Sequence, residues 1–384
     1  MAKFLITGAR SPVALELSRN LSKDGHTVYL ADSLRFPLAK HSKSVTKTFY
    51  ITAPRESLSQ FENDLKNLLV QYEVDVLIPT CEEVFYISAI MPSLSIHAQI
   101  FCPKFKLMQT LHSKYEVYSV AQDTGFSNPN TELLTGKELL ARKMYKEKVI
   151  KKEFCRFGTG VLVEPNFEKV STLVCERLND RFIIQDKIEG VEYCTYAIVQ
   201  NGKVLLESIY TPQHRIRRAA GIYFKPVVNE DISLAIRNFC SKNNITGQIG
   251  FDIIIKNKEI FLLECNPRAT SGLHLLSENS LSNAFLENEH LPLPKCKLSR
   301  PKMIKTAMLV IGLPISIVNS QFKEFQSDYQ AASDVITISN DRSFILYSLL
   351  ALLEISIISL KTFSSLRAAS TYDIEWDGEI LDVR

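Results

Sequence analysis

The sequence predicts an α/β protein that begins with a parallel-sheet domain, continues into a larger α+β part and ends in an α/β extension. Three observations carry this. Strand and helix patterns alternate over residues 1 to 112, which implies a parallel sheet covered by helices. Between about 148 and 264, apolar runs follow one another across tight polar turns, which reads as hairpins. From about Leu291 the proline and lysine content rises (Pro292, Pro294, Lys295, Lys297, Pro301), which marks a boundary before the last stretch.

In order, Lys3 to Thr7 reads as a strand, and Ser11-Pro12 starts a helix that ends near Gly25. Thr27 to Ala31 is a second strand, Arg55 to Tyr72 has helical spacing, and Val74 to Ile78 and Ile100 to Cys102 are further strands. The first turn, Gly8-Ala9-Arg10-Ser11-Pro12-Val13, lacks glycine at 10 and 13, so a G-x-G-x-x-G dinucleotide fingerprint is missing. Asp32 stands where such sites place a ribose-binding acid, though acids also cap loops. Glu82 and Glu83 follow a strand at the edge where open α/β sheets bind ligands. They read either as a helix-start pair of acids or, for Glu82, as a substrate contact.

Ser113 to Asp123 is predicted helical and is stopped by Gly125. Lys148 to Lys152 is a strand, and Gly158-Thr159-Gly160 turns the chain into a second one, close enough in principle to admit a phosphate. Asp180 to Ile188 and Val191 to Val199 are strands, and Asn201-Gly202 turns into Lys203 to Tyr210. The next loop, residues 213 to 221, concentrates Arg215, Arg217 and Arg218. It is either a solvated basic loop or a contact for an anionic substrate. Asp231 to Asn243 is a helix. Beyond residue 301, Thr306 to Ile311 and Val335 to Ser339 read as strands.

The chemistry concentrates between Gly247 and His274. Asp252 sits inside one apolar run, and Glu264, Asn266 and Arg268 follow at steps of two in and after the next. Residues two apart on a strand share a face, so Glu264 and Asn266 converge. Two carboxylates and an amide oxygen are hard ligands suited to Mg²⁺, and Arg268 beside them would meet a phosphate or carboxylate. The register decides. A turn centred on Asn257 brings Asp252 to the face of Glu264, whereas a two-residue Asn257-Lys258 turn sets Asp252 opposite Leu263, facing away. The metal reading therefore requires an odd-length loop or a bulge; otherwise the two acids are surface groups at strand ends.

At 384 residues the chain can bury several cores. Its net charge of +3 comes without a long basic stripe, which disfavours nucleic acid as a partner. The eight cysteines show neither C-x-x-C nor zinc spacing, so free thiols in a reducing, cytoplasmic setting are expected, and the N-terminus is expected to carry no signal peptide. Phe344 to Leu360 is strongly apolar but contains Glu354 and three serines. It is expected to be a buried or partner-facing helix rather than a membrane span.

Together these pieces resemble the ATP-grasp superfamily. The matching residues are Lys114; Val149-Ile150-Lys151 with Gly158-x-Gly160-Val161; Ile184-Gln185-Asp186-Lys187-Ile188 followed by Gly190-x-Glu192; Gly250-Phe251-Asp252; and Leu263-Glu264-Cys265-Asn266-Pro267-Arg268. The last element is also similar to those of carbamoyl phosphate synthetase and biotin carboxylase.

The resemblance implies a Rossmann-like domain over 1–112 and an ATP-grasp domain over 113–300, with its lid at about 131–185 and its central part at about 186–300. An extension over 301–384 matches no catalytic motif. It implies ATP and Mg²⁺, or Mn²⁺ in its place, with Lys114 and Lys151 on the phosphates and the Gly158–Gly160 turn as lid. Asp186 to Ile188 would form the adenine hinge, Gln185 before them would belong to the nucleotide site, and Glu192 would hold the ribose. Asp252, Glu264 and Asn266 would be the metal ligands, with Arg268 and Asn266 at the transferred phosphoryl group. The implied reaction joins a carboxylate, through an acyl phosphate, to an amine, with amino acids as candidate substrates and a homodimer as the candidate assembly. A nucleotide-binding module without turnover is the alternative. Lys152 stands where the family usually has proline, and Asp186 where it often has glutamate.

Overall fold

A computed structural model describes residues 1–155, 160–175, 177–215, 221–286, 300–337 and 344–381. The first layer is a five-stranded parallel sheet in the order Lys47–Tyr50, Thr27–Asp32, Lys3–Thr7, Val76–Ile78, Gln99–Ile100. Alternation along Lys3–Thr7 sends Phe4 and Ile6 into one core and Leu5 into another. The helix Pro12–Lys23 covers the first face; Ser11 caps it by accepting from the Ala14 amide. The helix Leu58–Gln71 covers the second through Phe61, Leu65 and Leu69, spaced one turn apart. The edge strand Lys47–Tyr50 is only four residues long, too short to show a period in the sequence.

A seven-stranded sheet follows, in the order Glu259–Asn266, Gly247–Lys256, Val191–Gln200, Lys203–Arg215, Gly221–Val227, Lys302–Met303, Ser333–Asp334. It is antiparallel except at its last pair. The helix Glu230–Lys242 backs it with Ile232, Ala235, Ile236 and Phe239. On the opposite face, Tyr196, Ile198, Leu273 and Leu276 share a core with the helix Pro12–Lys23, so the first two sheets are joined by buried apolar surface. A smaller antiparallel sheet, Thr131–Thr135, Arg181–Asp186, Lys148–Lys152, Leu162–Val163, stands over the strand ends with its own core of Leu139, Ile150, Val170 and Phe182.

The C-terminal part departs from expectation. Thr306 to Ile311 is helical: Lys305–Ala307 runs into a wide turn at Met308–Gly312 and then the helix Leu313–Val318. A short apolar run does not distinguish strand from helix, and Ala, Met and Leu favour helix. Of Val335 to Ser339, the described residues are not strand; the strand is Ser333–Asp334. The helix Phe344–Thr362 forms, but Leu349, Leu352, Leu353, Ile357 and Leu360 are exposed, so it is not buried. Glu354 accepts from the Arg35 and Phe36 amides at 2.9 Å each, which explains an acid within that run. Among the described residues no helix is long and apolar enough to cross a membrane.

Candidate active site

The seven-stranded sheet and the smaller antiparallel sheet meet at a cleft beside the hairpin Gly247–Lys256 and Glu259–Asn266. Its turn is Asn257-Lys258, with φ of +52° and +70° at the two residues, a two-residue hairpin turn. That turn pairs Lys256 with Glu259 and Ile253 with Leu262, which by itself would set Asp252 against Leu263. A bulge intervenes. Between Ile253 and Asp252 the register shifts, and Asp252 lies opposite Glu264. Leu263 is the extra residue, and its carbonyl accepts from Lys151 Nζ at 3.4 Å. One irregularity thus aligns the two carboxylates and aims a backbone oxygen at a lysine of the opposite sheet.

Burial, and then the neighbouring Glu264, push the Asp252 carboxyl above its ordinary range. Asn266 donates to Asp252 Oδ2 at 3.5 Å, while its own oxygen accepts from Arg268 Nη2 at 3.2 Å. Among the described residues no cluster of three or more His, Cys, Asp or Glu side chains is placed to hold a metal. The donor set here is instead two carboxylates that destabilise each other and one amide, which fits a hard divalent ion shared with an oxygen-rich ligand.

Two lysines complete the cleft. Lys114 is buried; its Nζ donates to the Cys155 carbonyl and lies 3.6 Å from Glu264. Lys151, on Lys148–Lys152, donates to Gln185 Oε1 at 3.1 Å. Burial, joined by the charge of Lys114, pulls the Lys151 ammonium below its ordinary range against the attraction of Glu264. Two buried ammonium groups and two carboxylates in one cleft form a charge set that a bound polyanion would reorganise.

Arg268 reaches across to the parallel sheet. Its Nε donates to Glu82 Oε1 at 2.7 Å, and Glu82 is buried at that sheet's C-terminal edge. Glu83 turns the other way: its Oε1 accepts from Thr7 Oγ1 and from the Thr80 and Cys81 amides. The pair therefore divides, one acid orienting Arg268 and the other closing a turn.

The run Gln185 to Ile188 divides by its partners. Gln185 is buried, and its amide donates to Tyr118 and Thr131 while accepting from Lys151, so it orients the lysine. The Asp186 amide donates to Asn130 and the Lys187 amide to Glu147, both at 2.9 Å. The Asp186 carboxylate pairs with Lys148, and Lys187 with Glu164 and Glu189. Ile188 is the residue of this run whose amide makes no protein hydrogen bond among the described residues. Glu192 is exposed and paired with Arg215, which ends the strand Lys203–Arg215 rather than lying in a loop. Gly160 has φ +73°; Gly158, Arg217 and Arg218 lie outside the described residues.

Sequence reasoning missed Tyr118, Glu153 and Asp373, none of which lies in a motif. Asp32 is no ribose acid here: its carboxylate is held by Arg10 at 2.7 Å, and Arg10 also binds Asp373 from the far end of the chain.

Comparison with known proteins bears on this site. An ATP-grasp domain model matches residues 111–272. The chain is 26% identical over 235 residues to a tyramine–L-glutamate ligase of Methanocaldococcus jannaschii, covering 60% of this chain and 68% of that one. In structure it is similar to an L-amino acid ligase from Bacillus licheniformis, with TM-score 0.60, 15% identity and 78% of each chain covered. It is also similar to an N5-carboxyaminoimidazole synthetase from Staphylococcus aureus complexed with ADP, with TM-score 0.61, 12% identity and coverage of 83% and 86%.

Proposed function

We propose that this chain, which matches an ATP-grasp domain model over residues 111–272, is an ADP-forming ligase joining a small carboxylate, of the amino-acid class, to an amine. The observation that carries this is the convergence of Asp252 and Glu264 with Lys114, Lys151 and Arg268 in one cleft. Lys114 and Lys151 would bind the nucleotide phosphates. The Ile188 amide would donate to adenine, and Glu192, released from Arg215, would accept from the ribose hydroxyls. Asp252, Glu264 and Asn266 would hold Mg²⁺, which supplies charge neutralisation around the phosphates.

In the first step a carboxylate oxygen attacks the γ-phosphorus; the bond to the β-γ bridging oxygen breaks and ADP leaves. Arg268, braced by Glu82, is placed to neutralise charge on the phosphoryl group in flight. In the second step the amine nitrogen attacks the acyl carbon, phosphate departs and the nitrogen loses a proton. Neither step asks for a protein nucleophile, which agrees with Cys265, a buried thiol that burial holds well above its ordinary range. ATP as a substrate suits the cytoplasm.

The test is release of ADP and phosphate from Mg-ATP across a panel of amino acids, each with and without an amine. Trapping with hydroxylamine as a hydroxamate detects the acyl phosphate. We expect ADP release that depends on both substrates. Calorimetric binding of Mg-ATP without release under any combination would favour the non-catalytic nucleotide module.

A further inference from the structure

The segment after residue 369 packs on His112 and Phe154, beside the contact between Lys114 and the Cys155 carbonyl, although it carries none of the residues assigned above. We propose that Ser370–Glu379 is a tether that fixes the Lys114–Cys155 contact to the parallel sheet, with Trp376 as its positioning residue. This rests on the nucleotide site proposed above and assigns a role to part of the chain that has no motif.

One end of the tether is ionic. Asp373 accepts from Arg10 Nη1 at 2.6 Å and Nη2 at 2.8 Å, and from Ser33 Oγ at 2.5 Å. Arg10 also donates to the Ser370 carbonyl at 2.9 Å. The Tyr86 hydroxyl reaches the Glu375 carbonyl at 2.8 Å and the Glu379 carboxylate at 2.6 Å. The other end is aromatic. Trp376 is buried, stacked on Phe85 at 5.0 Å and set edge-on to Phe154 at 5.1 Å, with His112 at 6.1 Å.

Phe154 and His112 are where this matters. Phe154 lies between Glu153, which accepts from Ser113 Oγ at 2.6 Å and from the Lys114 amide at 3.3 Å, and Cys155, whose carbonyl accepts from Lys114 Nζ. His112 is two residues before Lys114. The indole therefore packs on both segments that hold the lysine. Gly378 presses on the same ring: a Cβ there would stand 2.5 Å from Phe154 Cδ2. A side chain at Gly378 must displace Phe154 and, through it, the carbonyl that receives Lys114.

Trp376 is the sole tryptophan, so its emission reads the tether directly. The full-length protein is titrated with a non-hydrolysable Mg-ATP analogue, followed by both calorimetry and tryptophan emission. We expect a saturable emission change with the calorimetric midpoint. Gly378→Ala should weaken the triphosphate analogue about tenfold while leaving AMP affinity close to wild type, since Lys114 serves the outer phosphates; its melting temperature should fall, because a φ of +93° and the 2.5 Å approach to Phe154 strain any side chain there. Trp376→Phe, which keeps a ring against Phe154, should lose less triphosphate affinity than Trp376→Ala. Unchanged emission at calorimetric saturation would overturn the tether and leave the nucleotide site standing. So would equal losses of AMP and triphosphate in Gly378→Ala. Absence of any calorimetric binding would overturn the site and the tether together.

Discussion

Asp252 faces Glu264 across neighbouring strands because Leu263 bulges out between the pairs on either side of it. The same bulge exposes the Leu263 carbonyl to Lys151. Without it, a two-residue turn would send Asp252 to the opposite face and remove half of the acidic pair. The site thus depends on one backbone irregularity as much as on its side chains.

Each acid of the pair should be separately required. Glu264→Gln and Asp252→Asn are expected to lower Mg-ATP-dependent ADP release by about a hundredfold or more, and EDTA should abolish release in the wild type. Both variants should remain folded, because each keeps the shape of its side chain and relieves the charge that raises the Asp252 carboxyl. Turnover within a few-fold of wild type in either variant would count against the metal assignment; ADP release by a coupled assay and circular dichroism provide the readouts.

Arg268 should not be replaceable by lysine. Its Nε is on Glu82 while Nη2 is on Asn266, a forked geometry that a single ammonium cannot reproduce. Arg268→Lys is expected to lose about a hundredfold in kcat with Mg-ATP affinity nearly retained. Glu82→Gln should give a smaller loss in the same parameter. Steady-state kinetics combined with calorimetry separates the two effects, and a loss confined to nucleotide binding would contradict this placement of Arg268.

Glu192 predicts nucleotide selectivity. If it leaves Arg215 for the ribose, the wild type should prefer ATP over 2′-deoxy-ATP by about tenfold, one charged hydrogen bond's worth. Glu192→Ala should erase that preference while changing stability little, since the pair it breaks is half exposed. Parallel titrations with both nucleotides check this; a preference that survives the substitution would place the ribose elsewhere.

The Arg10–Asp373 pair should be visible in acid stability. Although burial alone would raise the Asp373 carboxyl, Arg10 outweighs it and holds the group below its ordinary range. A carboxyl lowered in the folded state adds stability that is complete above its unfolded pKa of about 3.9 and is lost as pH falls through the folded value. Asp373→Asn should therefore cost about 1–3 kcal/mol at neutral pH, and the gap should close in acid below that window. Urea melts across pH measure it, and a gap independent of pH would show that the charge is not the source.

The parallel sheet, the hairpins and the acids of the cleft were legible because each is local. Alternation of apolar residues sets the faces of Lys3–Thr7, an Asn-Gly pair sets one turn, and the steps of two from Glu264 to Arg268 set a common side. Thr306 to Ile311 was misread as strand because a short apolar run carries no period long enough to decide. The motif placed Gln185 in the nucleotide site without a role; only its burial against Tyr118 and Thr131 shows that it holds Lys151.

The sequence by itself determined the order of sheet types, the residue types of the cleft and the requirement that Asp252 and Glu264 share a face. The tertiary structure alone decided how that requirement is met, by a bulge at Leu263, since a one-residue shift in pairing leaves no trace in composition or period. It alone joined Arg268 to Glu82 and Arg10 to Asp373, separated by 186 and 363 positions in the chain. Such pairs follow from packing between distant segments, and no local pattern encodes which acid a given arginine will meet.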